Sequence, residues 1–438
     1  MALRVNRRRF LKGAGSAALV ASAHVLSAGL PRRARAALPE DPVVILIQLS
    51  GGNDALNTVI PVNNFGLPQR SLYDFYRPDL GIAPNELSAT LIGADPVVGT
   101  SLAFHPVMTA MKSLYDGGHL AVVNGVGVPG AALSHARASA AWFAGDPAGF
   151  TDTGWLGRYT DEEFLAADTP GLSLGPRPIP MFTGANPNAL AGGSLRGFAL
   201  PDDLAFPDLA ARRLAWQAIF AADAADSDLL SRMRRQAAEV VAKEPILGAV
   251  ILDGWGSQLE SEPTPLHASL HEIVSLLRYD AMNDVGSGIQ LFHVTQPGYD
   301  THSQQGASEP EGRHAQLLTQ LSDALAKLYA DLVALGLQNR VLVLTYSEFG
   351  RRPRQSGQAE AAGTDHGAPG TLFALGGAVI GGVYGALPGL DSLGADGDAP
   401  LTVDFRRVYT TVLERFLGGD PAVLAGGPFT ALGFLPAP

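Results

Sequence analysis

The sequence predicts an α/β sandwich in which helices cover a mostly parallel central sheet. Continuous apolar runs span residues 43–49, 120–125, 290–294 and 340–346, and such runs are typical of strands buried on both faces. Apolar residues at helical spacing over residues 314–335 predict a helix between the last two runs. Strand, helix and strand in succession indicate an α/β fold.

Length and composition favour one large, loop-rich globular domain. The 438 residues are 46% hydrophobic and 17% charged, which excludes a mostly disordered protein. The 51 glycines and 31 prolines follow no triplet period, which excludes a collagen-like fold. We expect the α/β domain to span residues 37–438. A Pro/Gly-rich stretch and the helical patterns after it predict that residues 151–285 form a cap or insertion over the sheet.

The N-terminus predicts a twin-arginine export signal over residues 1–36. Arg7, Arg8 and Arg9 precede an apolar stretch of small residues, and a small-residue cleavage pattern ends at Ala36. The alternative is a basic arm on a membrane anchor, but the run is weak and short for a stable span. We therefore expect no stable span in the mature chain, a periplasmic or secreted location, and the twin-arginine translocase as a partner during export.

The mature chain is predicted to be strongly acidic. Eight of the 31 basic residues lie in the signal, so 23 basic residues remain against 42 acidic ones, a net charge of about −19. Such a body repels phosphate backbones, and we expect no binding to nucleic acid. The chain contains no cysteine, so stability must come from the core or from bound metal rather than from disulfides.

Acidic and imidazole residues collect just after the predicted strands, where ligand sites of open parallel sheets lie. Clustered carboxylates repel one another unless cations sit among them. Carboxylate oxygens and imidazole nitrogens without thiolates predict one or two divalent ions, Zn²⁺ or Mn²⁺. The candidate ligands are Asp54, Asp300, His302, Glu348, Asp365 and His366.

A candidate nucleophile follows the second apolar run. The Ser134 hydroxyl at a metal rim could attack phosphorus or sulfur, whereas the simpler interpretation makes Ser134 the N-cap of a helix. His135 is either a ligand or a general acid, and the sequence leaves both open. Arg137 and Arg351 are candidate clamps for an anionic group, or ordinary surface ion-pair partners.

Besides the signal, five segments match a known family, at residues 49–58, 298–302, 347–351, 363–367 and 375–379. Together they resemble the exported family known as domain of unknown function 1501. That family is similar to a branch of the alkaline phosphatase and sulfatase superfamily. The resemblance implies an α/β/α sandwich, a bimetallic centre and a Ser or Thr nucleophile.

The resemblance also implies a division of the ligands between two ions. The first ion would be held by Asp300, His302 and His366. The second would be held by Asp54, Glu348 and Ser134, with Asp365 between the two ions. A rival alignment pairs Asp365 and His366 with Asp54.

Three departures from the superfamily pattern weaken the expectation of two ions. The spacing from Asp300 to His302 is short, Asp54 lies several residues past its strand, and Phe349 stands where an imidazole is expected. These departures leave room for the loss or weak binding of one ion.

We therefore expect an exported metal-dependent hydrolase of small-molecule phosphate or sulfate esters, with Ser134 as nucleophile. The alternative is a non-catalytic exported protein of the same fold that binds a partner or a structural cation. A single structural ion and a serine buried away from the rim would favour this alternative.

Overall fold

The computed structural model describes the chain from residue 39 to residue 437, apart from short gaps. The predicted signal at residues 1–36 lies outside the described residues. None of the helices that the structure describes is long and apolar enough to cross a membrane. The described ranges are 39–130, 132–164, 168–175, 178–186, 189–198, 208–220, 229–252, 254–261, 264–283 and 285–437.

The strands form one large sheet and two small ones. Their bounds are β1 Val43–Ser50, β2 Val59–Pro61, β3 Leu91–Ala94, β4 Ser101–Phe104, β5 Leu120–Gly127, β6 Gly171–Leu174, β7 Ala189–Gly192, β8 Leu291–Pro297, β9 Val341–Tyr346, β10 Gly350–Ser356, β11 Gly363–Gly367, β12 Gly370–Leu375, β13 Gly382–Tyr384 and β14 Val403–Asp404. The large sheet has nine strands in the order β13-β5-β12-β9-β1-β8-β6-β7, with β14 beside β5. Strands β10 and β11 form one small sheet, and the other has three strands in the order β2-β4-β3.

The large sheet is mostly parallel, as predicted. β1 runs parallel to both of its neighbours, β8 and β9, and β6 and β7 continue in the same direction. Only β12, among the described strands of this sheet, runs antiparallel to its neighbours. The carboxyl ends of β1, β5, β8 and β9 therefore meet at one edge.

Helices cover both faces of the sheet, which confirms the predicted α/β/α sandwich. The helices are α1 Ala55–Thr58, α2 Gln69–Tyr76, α3 Thr109–Asp116, α4 His135–Ala144, α5 Trp155–Glu163, α6 Leu209–Phe220, α7 Leu229–Leu252, α8 Pro265–Met282, α9 Arg313–Ala334 and α10 Phe405–Val412. One core lies between the sheet and α3, α8 and α9, and the other lies between the sheet and α4, α5 and α10.

The sequence of β1 explains why two cores form. Its side chains alternate between the two faces, so that Val43, Ile45 and Ile47 enter one core while Val44 and Leu46 enter the other. Each of these side chains is at most 1% exposed. A strand that is apolar on both faces requires a helical layer on each side.

The region predicted as a cap or insertion, residues 151–285, has a different structure. Its described parts place β6 and β7 in the central sheet, next to β8. α8 packs its apolar face into one of the two cores. These strands have four residues each, too short to produce the long apolar runs on which the sequence prediction depended.

Candidate metal centre

Three imidazole groups face one carboxylate at the carboxyl edge of the sheet. Asp300 Oδ1 lies 3.2 Å from His302 Nε2 and 3.3 Å from His366 Nε2, and Asp300 Oδ2 lies 3.5 Å from His135 Nε2. The Nε2 atoms of His302 and His366 are 2.9 Å apart. His135, Asp300 and His366 each offer a ligand atom within 4.8 Å of the others. His302 Nε2 adjoins both Asp300 and His366, and we call His135, Asp300, His302 and His366 the candidate metal centre, shortened below to the metal centre.

The strand order brings these four residues together. His135 begins α4, which follows β5, and Asp300 and His302 follow β8. His366 lies on β11, opposite Arg351 on β10. All of these segments leave the sheet at the edge where the parallel strands end, so residues far apart in sequence converge.

Close backbone contacts between the loops require glycine. Gly51 has φ of +125°, and a Cβ atom there would lie 2.3 Å from the Asp300 backbone nitrogen. A Cβ atom on Gly363 would lie 2.2 Å from the His302 carbonyl carbon. Both glycines therefore allow neighbouring loops to approach the metal centre.

Each imidazole of the centre has a partner on its other ring nitrogen. His366 Nδ1 donates to the Leu133 carbonyl oxygen at 2.9 Å, and His135 Nδ1 lies 2.8 Å from Glu348 Oε1. His302 Nδ1 lies 3.4 Å from Asp365 Oδ1. Such outer partners fix ring orientation in metal sites and turn the opposite nitrogen toward the ion.

The donor set is compatible with a divalent cation. A carbonyl oxygen only accepts hydrogen bonds, so His366 Nδ1 carries a proton and the Nε2 of the neutral ring presents a lone pair. That lone pair faces a carboxylate oxygen and a second imidazole nitrogen at short distance. Three imidazole groups and one carboxylate are ligands that Zn²⁺ and Mn²⁺ accept.

The side chain of Arg351 is buried and binds Asp300. It does not face solvent, as the predicted clamp for an anionic group would. Its Nη2 donates to Asp300 Oδ1 at 2.8 Å, and its side chain is fully buried. Burial raises the pKa of the Asp300 carboxyl, but it is lowered overall to about 2, and the hydrogen bond from Arg351 is the largest of the effects that lower it. The guanidinium also donates to the backbone oxygens of Gly51, Gly52, Tyr299 and Thr364.

Asp54 belongs to a buried ion pair rather than to the second ion site predicted for it. Arg77 Nη1 lies 2.6 Å from Asp54 Oδ2, and Arg77 Nη2 lies 2.8 Å from Asp54 Oδ1. Gln305 Nε2 donates to Asp54 Oδ2 at 2.6 Å. Burial raises the pKa of Asp54, but the charge and hydrogen bonds of Arg77 outweigh it and hold the pKa below its ordinary value.

Arg77 therefore supplies the positive charge that the sequence analysis assigned to a second ion. The residue directly follows α2 and belongs to no motif, so the sequence contains no signal for its contact with Asp54. Gln305 was missed for the same reason. The carboxylate of Asp54 is thus already paired with Arg77 and Gln305.

Glu348 and Phe349 line the buried side of the metal centre. Glu348 Oε1 also accepts from the Gly51 backbone N–H at 2.9 Å. The Phe349 ring lies 4.3 Å from the His366 ring and 5.0 Å from the His135 ring, between centroids. The substitution of phenylalanine for an expected imidazole thus gives an apolar wall behind two of the histidines.

Ser134 and Arg137 lie on the solvent side. Ser134 occupies the N-cap position of α4 and is exposed, but its hydroxyl makes no capping hydrogen bond in the described helix. Both of its neighbours in sequence belong to the site: the Leu133 carbonyl accepts from His366, and His135 faces Asp300. Arg137 is exposed in the first turn of α4. Asp365 is exposed beside His302.

The comparison with protein families confirms the predicted resemblance over residues 280–423, and the signal and the segment at residues 49–58 lie outside the match. Residues 280–423 match the family described as "Protein of unknown function (DUF1501)". That stretch contains Asp300, His302 and His366 of the metal centre, whereas His135 precedes it. No protein with a curated description matches the chain.

Solved structures similar to the chain include Ps i-CgsB in complex with k-i-k-neocarrahexaose, at 11% identity and a TM-score of 0.36, covering 89% of this chain and 73% of that one. The lipoteichoic acid synthase LtaP from Listeria monocytogenes is 11% identical with a TM-score of 0.32, covering 78% and 68%. The phosphonate monoester hydrolase of Agrobacterium radiobacter is 12% identical with a TM-score of 0.32, covering 89% and 78%.

Proposed function

We propose that the protein is a metal-dependent hydrolase of phosphate or sulfate esters. The observation that carries this proposal is the convergence of three imidazole Nε2 atoms on Asp300 at a solvent-accessible edge of the sheet. Asp300 and His302 are each about half exposed, with 46% of the side chain accessible. A small ester can therefore reach the ligand atoms from solvent.

His135, Asp300, His302 and His366 would hold one Zn²⁺ or Mn²⁺ ion. When bound, such an ion supplies Lewis-acid polarisation of a phosphoryl or sulfuryl oxygen. Phe349 and the buried Arg351 keep the inner side of the centre closed to water. The substrate therefore approaches from the side on which Ser134 is exposed.

Ser134 is the nucleophile of this proposal. Its hydroxyl lies at the N-terminus of α4, where the helix favours an anionic group. The Ser134 oxygen forms a bond to phosphorus or sulfur, the ester bond to the alcohol breaks, and the serine proton ends on the departing alcohol. Water then attacks the same atom, the bond to the Ser134 oxygen breaks, phosphate or sulfate leaves, and a proton of the water restores the hydroxyl.

The proposal also includes export of the protein and a class of substrate. The twin-arginine pattern at residues 1–36 supports passage through the twin-arginine translocase to the periplasm or the medium. The net charge of about −19 expected for the mature chain argues against nucleic-acid substrates. We propose small-molecule esters as the substrate class.

Replacement of Ser134 by alanine tests the nucleophile. We expect hydrolysis of an aryl phosphate or aryl sulfate by the metal-loaded protein to fall by about a thousandfold or more, because the group that forms the covalent bond is gone. The bound metal, measured by elemental analysis, should stay unchanged. The half-buried Ser139, one turn along α4, offers Ser139→Ala as a matched control.

Full activity of the Ser134→Ala protein would reject Ser134 as nucleophile.

A second candidate function, a non-catalytic exported protein that binds a partner or a structural cation, is favoured by the commitment of Arg351 to internal acceptors. Wild-type protein that binds the ion tightly but hydrolyses neither ester class would support this second function.

A further inference from the structure

The carboxylate of Glu348 lies behind His135, on the side away from solvent. Its side chain is 1% exposed, whereas that of His135 is 43% exposed. Glu348 Oε1 contacts His135 Nδ1 at 2.8 Å and the Gly51 backbone N–H at 2.9 Å. The Glu348 carbonyl oxygen also accepts from the Trp142 indole N–H at 3.1 Å. Both ends of the residue are therefore fixed.

We infer that Glu348 is a positioning residue, which holds the His135 ring so that Nε2 is presented to the ion, and not the ion ligand that the sequence suggested. A carboxylate oxygen that accepts from His135 Nδ1 places the proton of the neutral ring on that nitrogen. The lone pair of the neutral ring is then on Nε2, which faces Asp300 Oδ2 at 3.5 Å. The inference rests on the proposed metal site.

The carboxylate has a second consequence for His135. A carboxylate that accepts from Nδ1 raises the basicity of Nε2 and so strengthens the bond of Nε2 to a cation. His366 has only the neutral Leu133 carbonyl in the same place, and the carboxylate beside His302 is the exposed Asp365 at 3.4 Å. Among the described residues of the centre, His135 therefore has the shortest contact with a carboxylate other than Asp300. That carboxylate, Glu348, is also buried.

A direct bond from Glu348 to the ion is the competing possibility. Glu348 Oε2 is buried and has no hydrogen-bond partner among the described residues, so this oxygen could serve as a ligand. The two roles differ in one measurable way. A positioning residue acts only through His135, whereas a ligand contributes whether or not His135 is present.

A double-mutant cycle on metal affinity separates the two roles. The proteins are the full-length wild type, Glu348→Gln, His135→Ala and the double variant, each titrated with Zn²⁺ against a chromophoric chelator. Glutamine keeps the size of the side chain and an oxygen for the Gly51 N–H but removes the charge. Glu360→Gln, at an exposed glutamate of the following loop, is the matched control.

We expect Glu348→Gln to weaken Zn²⁺ binding by about 10–100-fold, the loss typical of outer-shell partners, and Glu360→Gln to leave it unchanged. In the His135→Ala background the same substitution should change the affinity by less than about threefold. The visible absorption of Co²⁺-loaded Glu348→Gln should keep the intensity of the wild type, since the number of ligands is unchanged.

Equal losses in both backgrounds, or no loss in either, would overturn the inference while leaving the proposed function standing. Wild-type protein that binds neither Zn²⁺ nor Co²⁺ would overturn both. If Glu348→Gln does not fold, histidine ¹⁵N spectra of zinc-loaded wild type replace it, with His135→Ala giving the assignment. A protonated Nδ1 and a metal-bound Nε2 on His135 support the inference, and metal on Nδ1 refutes it.

Discussion

Replacement of Asp300 by alanine is expected to abolish tight binding of the divalent cation. Asp300 is the carboxylate that all three imidazole groups of the metal centre face, at 3.2 to 3.5 Å. Its loss removes the anionic ligand. We expect the metal affinity to fall by more than it does when an outer partner is removed, which is about 10–100-fold. Elemental analysis of protein purified without chelators measures the effect.

Two further variants separate metal binding from folding. Asp300→Asn keeps an oxygen that can accept from Arg351 Nη2, so it should fold like the wild type and still lose most of the metal. Asp365→Asn removes an exposed carboxylate beside His302 and should have a much smaller effect. Unchanged metal content in Asp300→Ala would show that Asp300 is not a ligand.

Replacement of Arg77 by methionine is expected to destabilise the protein by about 3–5 kcal/mol, the cost of leaving one partner of a buried ion pair unpaired. The side chains of Arg77 and Asp54 are both 0% exposed, and the pair is bidentate. Without the guanidinium, Asp54 must stay charged in an apolar interior or take up a proton. Urea unfolding followed by fluorescence measures the loss.

The double variant Asp54→Asn/Arg77→Met provides the decisive comparison. It removes both charges, so we expect it to recover a large part of the stability that Arg77→Met loses. Arg354→Met, at an exposed arginine stacked over Tyr76, is the control and should cost less than about 1 kcal/mol. A double variant less stable than Arg77→Met would contradict this account of the pair.

The same pair predicts how acid affects stability. The pKa of Asp54 is held below the ordinary value of 3.8 in the folded protein, so the folded state binds this proton less readily than the unfolded chain does. The contribution of the pair is present above pH 3.8 and is lost as the pH falls below that value. At neutral pH the pair contributes in full.

The sheet could be predicted because its central strands are apolar on both faces. The runs at residues 43–49, 120–125, 290–294 and 340–346 correspond to β1, β5, β8 and β9. Parallel strands buried by helices leave this signal in the sequence alone. The strands β6 and β7 are short and lie toward one end of the strand order, so no comparable apolar run marks them in the sequence.

The site was harder to predict, because strand order places a residue at the edge of the sheet but does not say which way its side chain turns. Asp300 and Asp54 both follow strands, yet Asp300 is half exposed among imidazole groups while Asp54 is buried against Arg77. Arg351 likewise turns inward, where backbone oxygens from three loops satisfy its donors. These outcomes depend on tertiary contacts, which range from that of Asp54 with Arg77, 23 residues apart, to that of Arg351 with Gly52, 299 residues apart.

The central claim is that His135, Asp300, His302 and His366 bind one divalent cation. Its most direct test is the metal-to-protein ratio of the exported wild-type protein, purified without chelators and measured by elemental analysis. We predict a ratio near one, with zinc or manganese as the metal. Protein that is folded but carries no transition metal, and takes up none when Zn²⁺ or Mn²⁺ is added, would contradict the claim.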